Sequence, residues 1–414
     1  LLLTTIHIIR IMIPQHLEYG STQQTVSSKK EGSGNHNQKP QLEKDENEKE
    51  NEKTNKGATA TLGSGILNLS NTILGAGMLG LPGALGGTGY GGGFLLILTG
   101  ALFSAQGLYL LSRAATHPTV QGPSSFYAVA QATVPSSTLL IDVAVTLKCF
   151  GVATGYLITI GNCFVAACHY FLPTSTSTSS STLLTVLLTK LLLSRRFWVV
   201  GAMVAVVPVS FYRTLDELKK ASTMALLFIL LLAVGIVSYA NGWAGLNPCG
   251  TTTHTSESEN ESQHGSSSCR GDFVAFTTVP QTIAKLPIFI FAFTCQQNIF
   301  PIVNELHHCT QARVNTVISS SIGLSFVLFT VVALAGYHTF GSQVRGDILL
   351  NYPQHKDLPV TLLRLCIAVM LVLHYPLQLD PSRRCLTSLL KGSKRWWSSN
   401  NNNDRRRSRS SSQH

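Results

Sequence analysis

Apolar residues fall along this chain in long runs separated by polar stretches. The longest uncharged stretch, Gly57 to Ser112, holds no Asp, Glu, Lys or Arg. At about 1.5 Å per helical residue it is far longer than one crossing of a ~30 Å hydrocarbon core. A soluble core has no need of two consecutive uncharged spans. The runs predict an all-α polytopic membrane protein with about eight transmembrane helices. The first two are Leu62 to Leu85 and Gly92 to Leu111, parted by the glycines Gly86, Gly87, Gly89, Gly91, Gly92 and Gly93. A short helix on the membrane surface is expected at Ser124 to Val134. The third span, Leu139 to Phe171, contains Asp142 and Lys148, and the apolar run Leu183 to Leu193 is too short to cross. The remaining spans are Phe197 to Tyr212, Ser222 to Tyr239, Leu286 to Asn304, Val317 to Phe340 and Val360 to Leu377.

Three regions follow. Residues 1–57 form a polar tail rich in Glu, Lys and Asn, expected to be disordered. Its first stretch, Leu1 to Ile13, is apolar but too short to span and lacks a basic flank. The chain does not begin with Met, so the start is read as incomplete. Residues 58–395 are the transmembrane domain, and 396–414 a basic Ser/Arg-rich tail.

Composition agrees: 44% of residues are hydrophobic and 12% charged, against about 25% charged in soluble domains. The net charge of +11 is concentrated near the C-terminal end, beside a span. That placement reads as a cytosolic flank rather than as a nucleic-acid site. A cytosolic N-terminus puts Arg113, Arg213, Lys219, Lys220, Arg313 and the basic tail inside. Lys190, Arg195, Arg196, Arg270, Arg345 and Lys356 then lie outside. The same orientation puts the sequon Asn260-Glu261-Ser262 on the outer or lumenal face, where glycosylation occurs. Cys249 and Cys269 share that polar loop, and a disulfide between them depends on its facing an oxidising lumen. The nine cysteines show no metal-ligand spacing. No hydrolytic constellation or phosphate-binding loop is present in the sequence, so neither an enzyme nor a cofactor is expected.

Two spans do not read as ordinary helices. Asn71 to Pro82 places Gly75, Gly77, Gly80 and Pro82 at mid-membrane. Lipid cannot solvate freed backbone groups, so a break survives only where it is buried or lines a cavity. The half-helix beyond it would offer N–H groups and roughly +0.5 of partial charge to a carboxylate. The competing reading is close packing through small residues, which does not need the proline or the Asn71-Thr72 pair. The sixth span repeats the theme, with Thr294, Cys295, Gln296, Gln297 and Asn298 before Pro301. Interrupted helices in corresponding positions point to an inverted-repeat secondary transporter with a midplane site. A substrate carboxylate would sit at the first break and its amino group would face carbonyls freed at both. Lys148 either neutralises a coupling site or snorkels. His338, His374 and Asp380 are expected at interfaces near span ends.

At these residues the chain resembles the amino acid/auxin permease family, which includes vacuolar and sodium-coupled neutral amino acid transporters. Asn71 to Pro82 is similar to the family's first-helix motif. Lys148 to Gly151 with Tyr156 to Gly161 is similar to its third helix. Pro208 to Phe211 with Leu215 to Leu218 resembles the end of the fourth, and Phe291 to Leu306 the sixth. Tyr375 to Gln378 with Pro381 to Arg384 resembles the end of the eighth. The resemblance implies a leucine-transporter-like fold and ion-driven movement of amino acids across a vacuolar, lysosomal or plasma membrane. It implies a site at Asn71, Thr72, Gly75, Ala76 and Gly77 with Phe293, Thr294, Cys295, Gln296 and Gln297. The family usually has about eleven spans, so the second repeat is expected to be incomplete. The alternative is a transport-incompetent membrane protein acting as a receptor or partner, or an incomplete gene model. Many relatives carry a histidine where Gln296 stands, which argues against a proton role there. Ala368 to Leu373 offers no hydroxyl for sodium, so the proton is favoured as coupling ion.

Overall fold

A computed structural model describes residues 60–75, 77–120, 123–172, 183–209, 219–243, 270–352 and 357–411, without the side chains of 183–186, 208–209, 219–220 and 391–411. The tail 1–57, Ala76, Asn260, Cys249 and Cys269 lie outside these residues, as does the stretch Ser210 to Leu218.

The described residues are almost entirely helical. α1 (Leu62–Ile73) starts where Thr61 Oγ1 accepts from the Ser64 N–H at 3.2 Å. It stops at Leu74, and the chain resumes as α2 (Gly77–Thr88). α3 (Tyr90–Ala115) follows after Gly89, whose φ of 75° requires glycine. Its first N–H groups have no partner inside the helix. Tyr90 donates to the Val274 carbonyl at 3.1 Å, and Gly91 to Ala275 at 2.9 Å. α4 (Phe126–Thr133) is capped by Ser125, and a turn at Pro135–Ser137 leads into α5 (Thr138–Phe171). α6 (Leu183–Leu192), α7 (Arg195–Val209) and α8 (Lys219–Ala240) come next. α9 (Val279–Ala292) and α10 (Ile299–Glu305) are separated by an irregular stretch ending in the turn Gln296–Asn298. α11 (Gln311–Phe340) and α12 (Leu358–Ser411) complete the order.

Six of these segments are long and apolar enough to cross a membrane: Tyr90–Ala115, Pro135–Phe171, Ala221–Ala240, Val279–Glu305, Gln311–Gln343 and Leu358–Leu390. Two of the eight expected spans fall short for identifiable reasons. The first is cut into halves of 12 residues each, and α7 is described for only 15. The expected eighth span ended at Leu377. α12 instead carries on through Pro376 and Pro381.

The broken helices are central. Within an 18-residue apolar stretch of Val279–Glu305, 61% of residues are buried, against 22% in such a stretch of Tyr90–Ala115 at the rim. α2 packs on α9 and α11, while α1 packs on α8 and α11. The two broken spans run antiparallel, since α1 packs on α10 and α2 on α9, and Ala60 before α1 pairs with the end of α10. Its N–H donates to Glu305 at 2.9 Å, and its carbonyl accepts from His307 at 3.0 Å. In lipid, apolar burial does not by itself drive helices together, so close fit must. Small residues supply it: a Cβ at Gly65 would touch Val317 at 3.3 Å, and one at Gly161 would meet Val199 at 2.8 Å.

Candidate functional site

The first break falls where glycines relax the backbone, at Leu74 and Gly75 before Gly77. Pro82 is not at the break. It lies inside α2, where its ring packs on α11, and a Cβ at Gly336 would meet Pro82 Cβ at 2.8 Å. The second break spans Phe293 to Asn298. Pro301 stands in the first turn of α10, where a missing N–H costs nothing.

Between the breaks lies a cavity of about 260 Å³. Thr72, Ile73, Gly75 and Gly77 line it from the first broken span, and Phe291, Ala292 and Thr294 from the second. The third wall is a stripe on α5: Lys148, Gly151, Val152, Gly155, Tyr156 and Thr159. These residues recur at the three- and four-residue spacing that shares one helix face. Gln378 of α12 completes the lining.

Of the ten substrate positions expected from sequence, Thr72, Gly75, Gly77 and Thr294 line this cavity. The others that are described hold its walls. Asn71 is buried and hydrogen-bonded to His374 Nε2. Phe293 packs edge-on against Phe329, with centroids 5.0 Å apart. Cys295 is buried with its Sγ 3.8 Å from Ser104 Oγ, and Gln296 Nε2 donates to the same hydroxyl at 3.3 Å. Gln297 turns away and lines a second cavity.

The freed carbonyls of the second break are already partnered, contrary to the expectation that they await an amino group. Ser104 Oγ donates to Phe293 O at 2.7 Å, and Lys148 Nζ donates to Thr294 O at 3.2 Å. Lys148 therefore reaches across the cavity rather than snorkelling along α5. Asn298 Nδ2 donates to Thr72 Oγ1 at 2.6 Å and to Leu377 O at 3.3 Å, joining three elements. The Leu377 carbonyl is free for this bond because Pro381, four residues on, has no N–H to give it.

The second cavity, about 420 Å³, lies on the side where α1 begins and α10 ends. Asp142, Gln297, Phe300, Asn304 and Arg384 are among its walls. Gln297 Nε2 donates to Gln378 Oε1 at 3.3 Å. Gln297 faces the second cavity and Gln378 the first, so this buried pair forms part of the partition between them.

His374 overturns an expectation. The sequence puts it at an interface, because the apolar run ends soon after it. α12 continues, and His374 is 1% exposed, directly behind the first break. Its ring centroid is 6.3 Å from that of Tyr156. Asp380 instead pairs locally with Arg383 at 2.9 Å and Arg384 at 2.7 Å, and His338 is exposed in the last turn of α11. Asp142, inside the third span, is buried within hydrogen-bonding reach of Ser388 and Cys385.

Residues 58–412 match the family described as transmembrane amino acid transporter protein. The chain is 33% identical to vacuolar amino acid transporter 5 of Schizosaccharomyces pombe, over 80% of this chain and 70% of that protein. It is 28% identical to vacuolar amino acid transporter 7 of Saccharomyces cerevisiae, over 80% and 60% of the two chains. With the sodium-coupled neutral amino acid symporter 2 of Danio rerio it shares 25% identity, over 82% and 65%. The chain thus spans between 60% and 70% of the length of these relatives.

Proposed function

The chain belongs to the transmembrane amino acid transporter family, a family of multi-pass membrane proteins, and from that premise we propose that it carries a neutral amino acid across a membrane by alternating access, driven by a proton gradient. The observation that carries this reading is the cavity between two broken helices. A site of about 260 Å³ is below the roughly 300–1,000 Å³ of drug-sized ligand sites and suits one small zwitterion.

Each end of the zwitterion has a seat. The amino end of α2 opens on the cavity at Gly77, where partial positive charge favours a carboxylate. The ammonium turns to the carbonyl end of α1 at Thr72, since Phe293 O and Thr294 O already accept from Ser104 and Lys148, and Ile73 O accepts from the Gly75 N–H at 2.8 Å. Gly151, Val152, Gly155, Phe291 and Ala292 leave room for an apolar side chain. The Lys148 ammonium in the wall repels a cationic one. Parting of Gln297 from Gln378 joins the cavity to the second chamber, which is the release step toward the side where α1 begins. The antiparallel broken helices, α1 against α10 and α2 against α9, support an inverted-repeat, leucine-transporter-like arrangement. The names of the fungal relatives favour a vacuolar membrane. The partners are therefore an amino acid, a proton and the bilayer.

The test is uptake of labelled neutral amino acids into proteoliposomes, with and without a pH gradient and with a sodium gradient. Accumulation that follows the pH gradient is expected. Accumulation only with sodium overturns the choice of ion, and none under any gradient overturns transport.

A further inference from the structure

We propose that His374 is the proton-binding group of the transport cycle, taking up a proton on Nδ1 when an amino acid enters the neighbouring cavity. The proposal rests on the transport reading above and adds the residue that couples proton to substrate.

The argument begins with cost. A polar ring in the middle of a span is expensive and in general marks an ion or proton path. His374 is fully enclosed, and its Nε2 faces Asn71 Oδ1. An amide oxygen can only accept, so Nε2 carries the hydrogen and Nδ1 is left with its lone pair. Among the described residues Nδ1 has no hydrogen-bond partner, and neither does Asn71 Nδ2. A buried aromatic nitrogen without a partner, kept at a functional break, is where a proton can be added without breaking an existing bond.

The surroundings decide when. Asn71 is next to Thr72, which lines the cavity and bonds Asn298. Tyr156 lies between His374 and the cavity, with its hydroxyl at Gly75 and within reach of Gln378. The titratable groups on the helices packed against α12 are few. α5 contributes Tyr156, Lys148 and Cys149, with Asp142 near its start and Cys163, Cys168, His169 and Tyr170 toward its other end. α1 contributes only uncharged Asn71, and α4 only Tyr127 at the second cavity. α8 has Tyr239, bonded to Asp357 at its far end, besides Lys219 and Lys220, and α7 has Arg195 and Arg196 at its start. On α12 itself, Tyr375 and Cys366 lie nearest in sequence, with Asp357 just before its start, Arg364 toward that end, and Asp380, Arg383, Arg384 and Cys385 toward the other. None of the acids stands close enough to be shown bonded to the imidazole. An imidazolium there needs a counter-charge, and the substrate carboxylate seated at Gly77 brings one. Each ligand then favours the other by the same factor, which is what coupling requires.

The experiment counts protons. Calorimetric binding of a neutral amino acid to the purified full chain, repeated in buffers of different ionisation enthalpy, gives protons taken up per substrate bound. His374→Gln keeps an N–H to offer Asn71 but cannot be protonated. Wild type is expected to take up a proton on binding, and His374→Gln to bind with little or no uptake. Equal uptake by both overturns this proposal and leaves transport standing. No binding of any amino acid by wild type overturns the transport reading and this proposal with it. If His374→Gln does not fold, ¹⁵N spectra of histidine-labelled wild type decide. A ring nitrogen that becomes protonated on adding substrate supports the proposal, and unchanged spectra overturn it.

Discussion

Gly75→Ala isolates one contact at the first break. Gly75 does not have a positive φ, so alanine can adopt its backbone and only space is at issue. A Cβ there would stand 2.5 Å from the Tyr156 hydroxyl oxygen, while the next atom, Cζ, is 3.5 Å away. The first distance is a clash and the second an ordinary contact. Tyr156 is 4% exposed and its ring is tilted against His374 at 6.3 Å between centroids, so it has little freedom to swing aside. Overpacking of this kind costs about 1–3 kcal/mol, which corresponds to a loss of about 5- to 150-fold. Read as kcat/KM for amino acid uptake, Gly75→Ala should fall by that factor. Tyr156→Phe removes the one offending atom, so the double variant should recover most of the loss relative to Tyr156→Phe alone. The cycle should give a coupling energy of about 1–3 kcal/mol, as expected for residues in contact. Additive losses, or normal uptake by Gly75→Ala, would refute the placement of Tyr156 over the break.

Two further outcomes follow from the same geometry. Ser104→Ala leaves the buried Phe293 carbonyl without its 2.7 Å donor, so stability in detergent should drop by about 1–3 kcal/mol, and an unchanged melting temperature would contradict this. Lys148→Ala removes the ammonium from the cavity wall. Lysine or arginine should then compete with neutral substrate for uptake where they fail against wild type, and continued exclusion of both would count against charge as the basis of selectivity.

The broken helices were legible because their causes are local. Glycines at 75 and 77 and the polar run from Thr294 to Asn298 disturb a helix whatever surrounds them. The proline of the first motif was legible as a residue but not in its role, since its packing on Gly336 depends on a helix far along the chain. Of the α5 wall only Lys148 was singled out, although the signal for the rest is present. Lys148, Gly151, Gly155 and Tyr156 share a face, and two glycines with a lysine on one face of an apolar helix have no reason to meet lipid. His374 and Gln378 were missed for a different reason. The end of a span was read from where apolar residues run out, whereas α12 stays helical beyond Leu377. Its proline-freed carbonyl is satisfied by Asn298, a partner that sequence spacing does not reveal.

The central claim is that the space beside Gly77 seats an amino acid. A Cβ at Gly77 would meet Ala292 Cα at 3.5 Å, an ordinary contact, but the two further methyls of valine project into the space the ligand needs. Binding of a labelled neutral amino acid to the purified chain, by scintillation proximity, compares wild type, Gly77→Ala and Gly77→Val. The account predicts binding by the first two and at least a tenfold loss in the third, with all three equally folded. Unchanged affinity in Gly77→Val would contradict it.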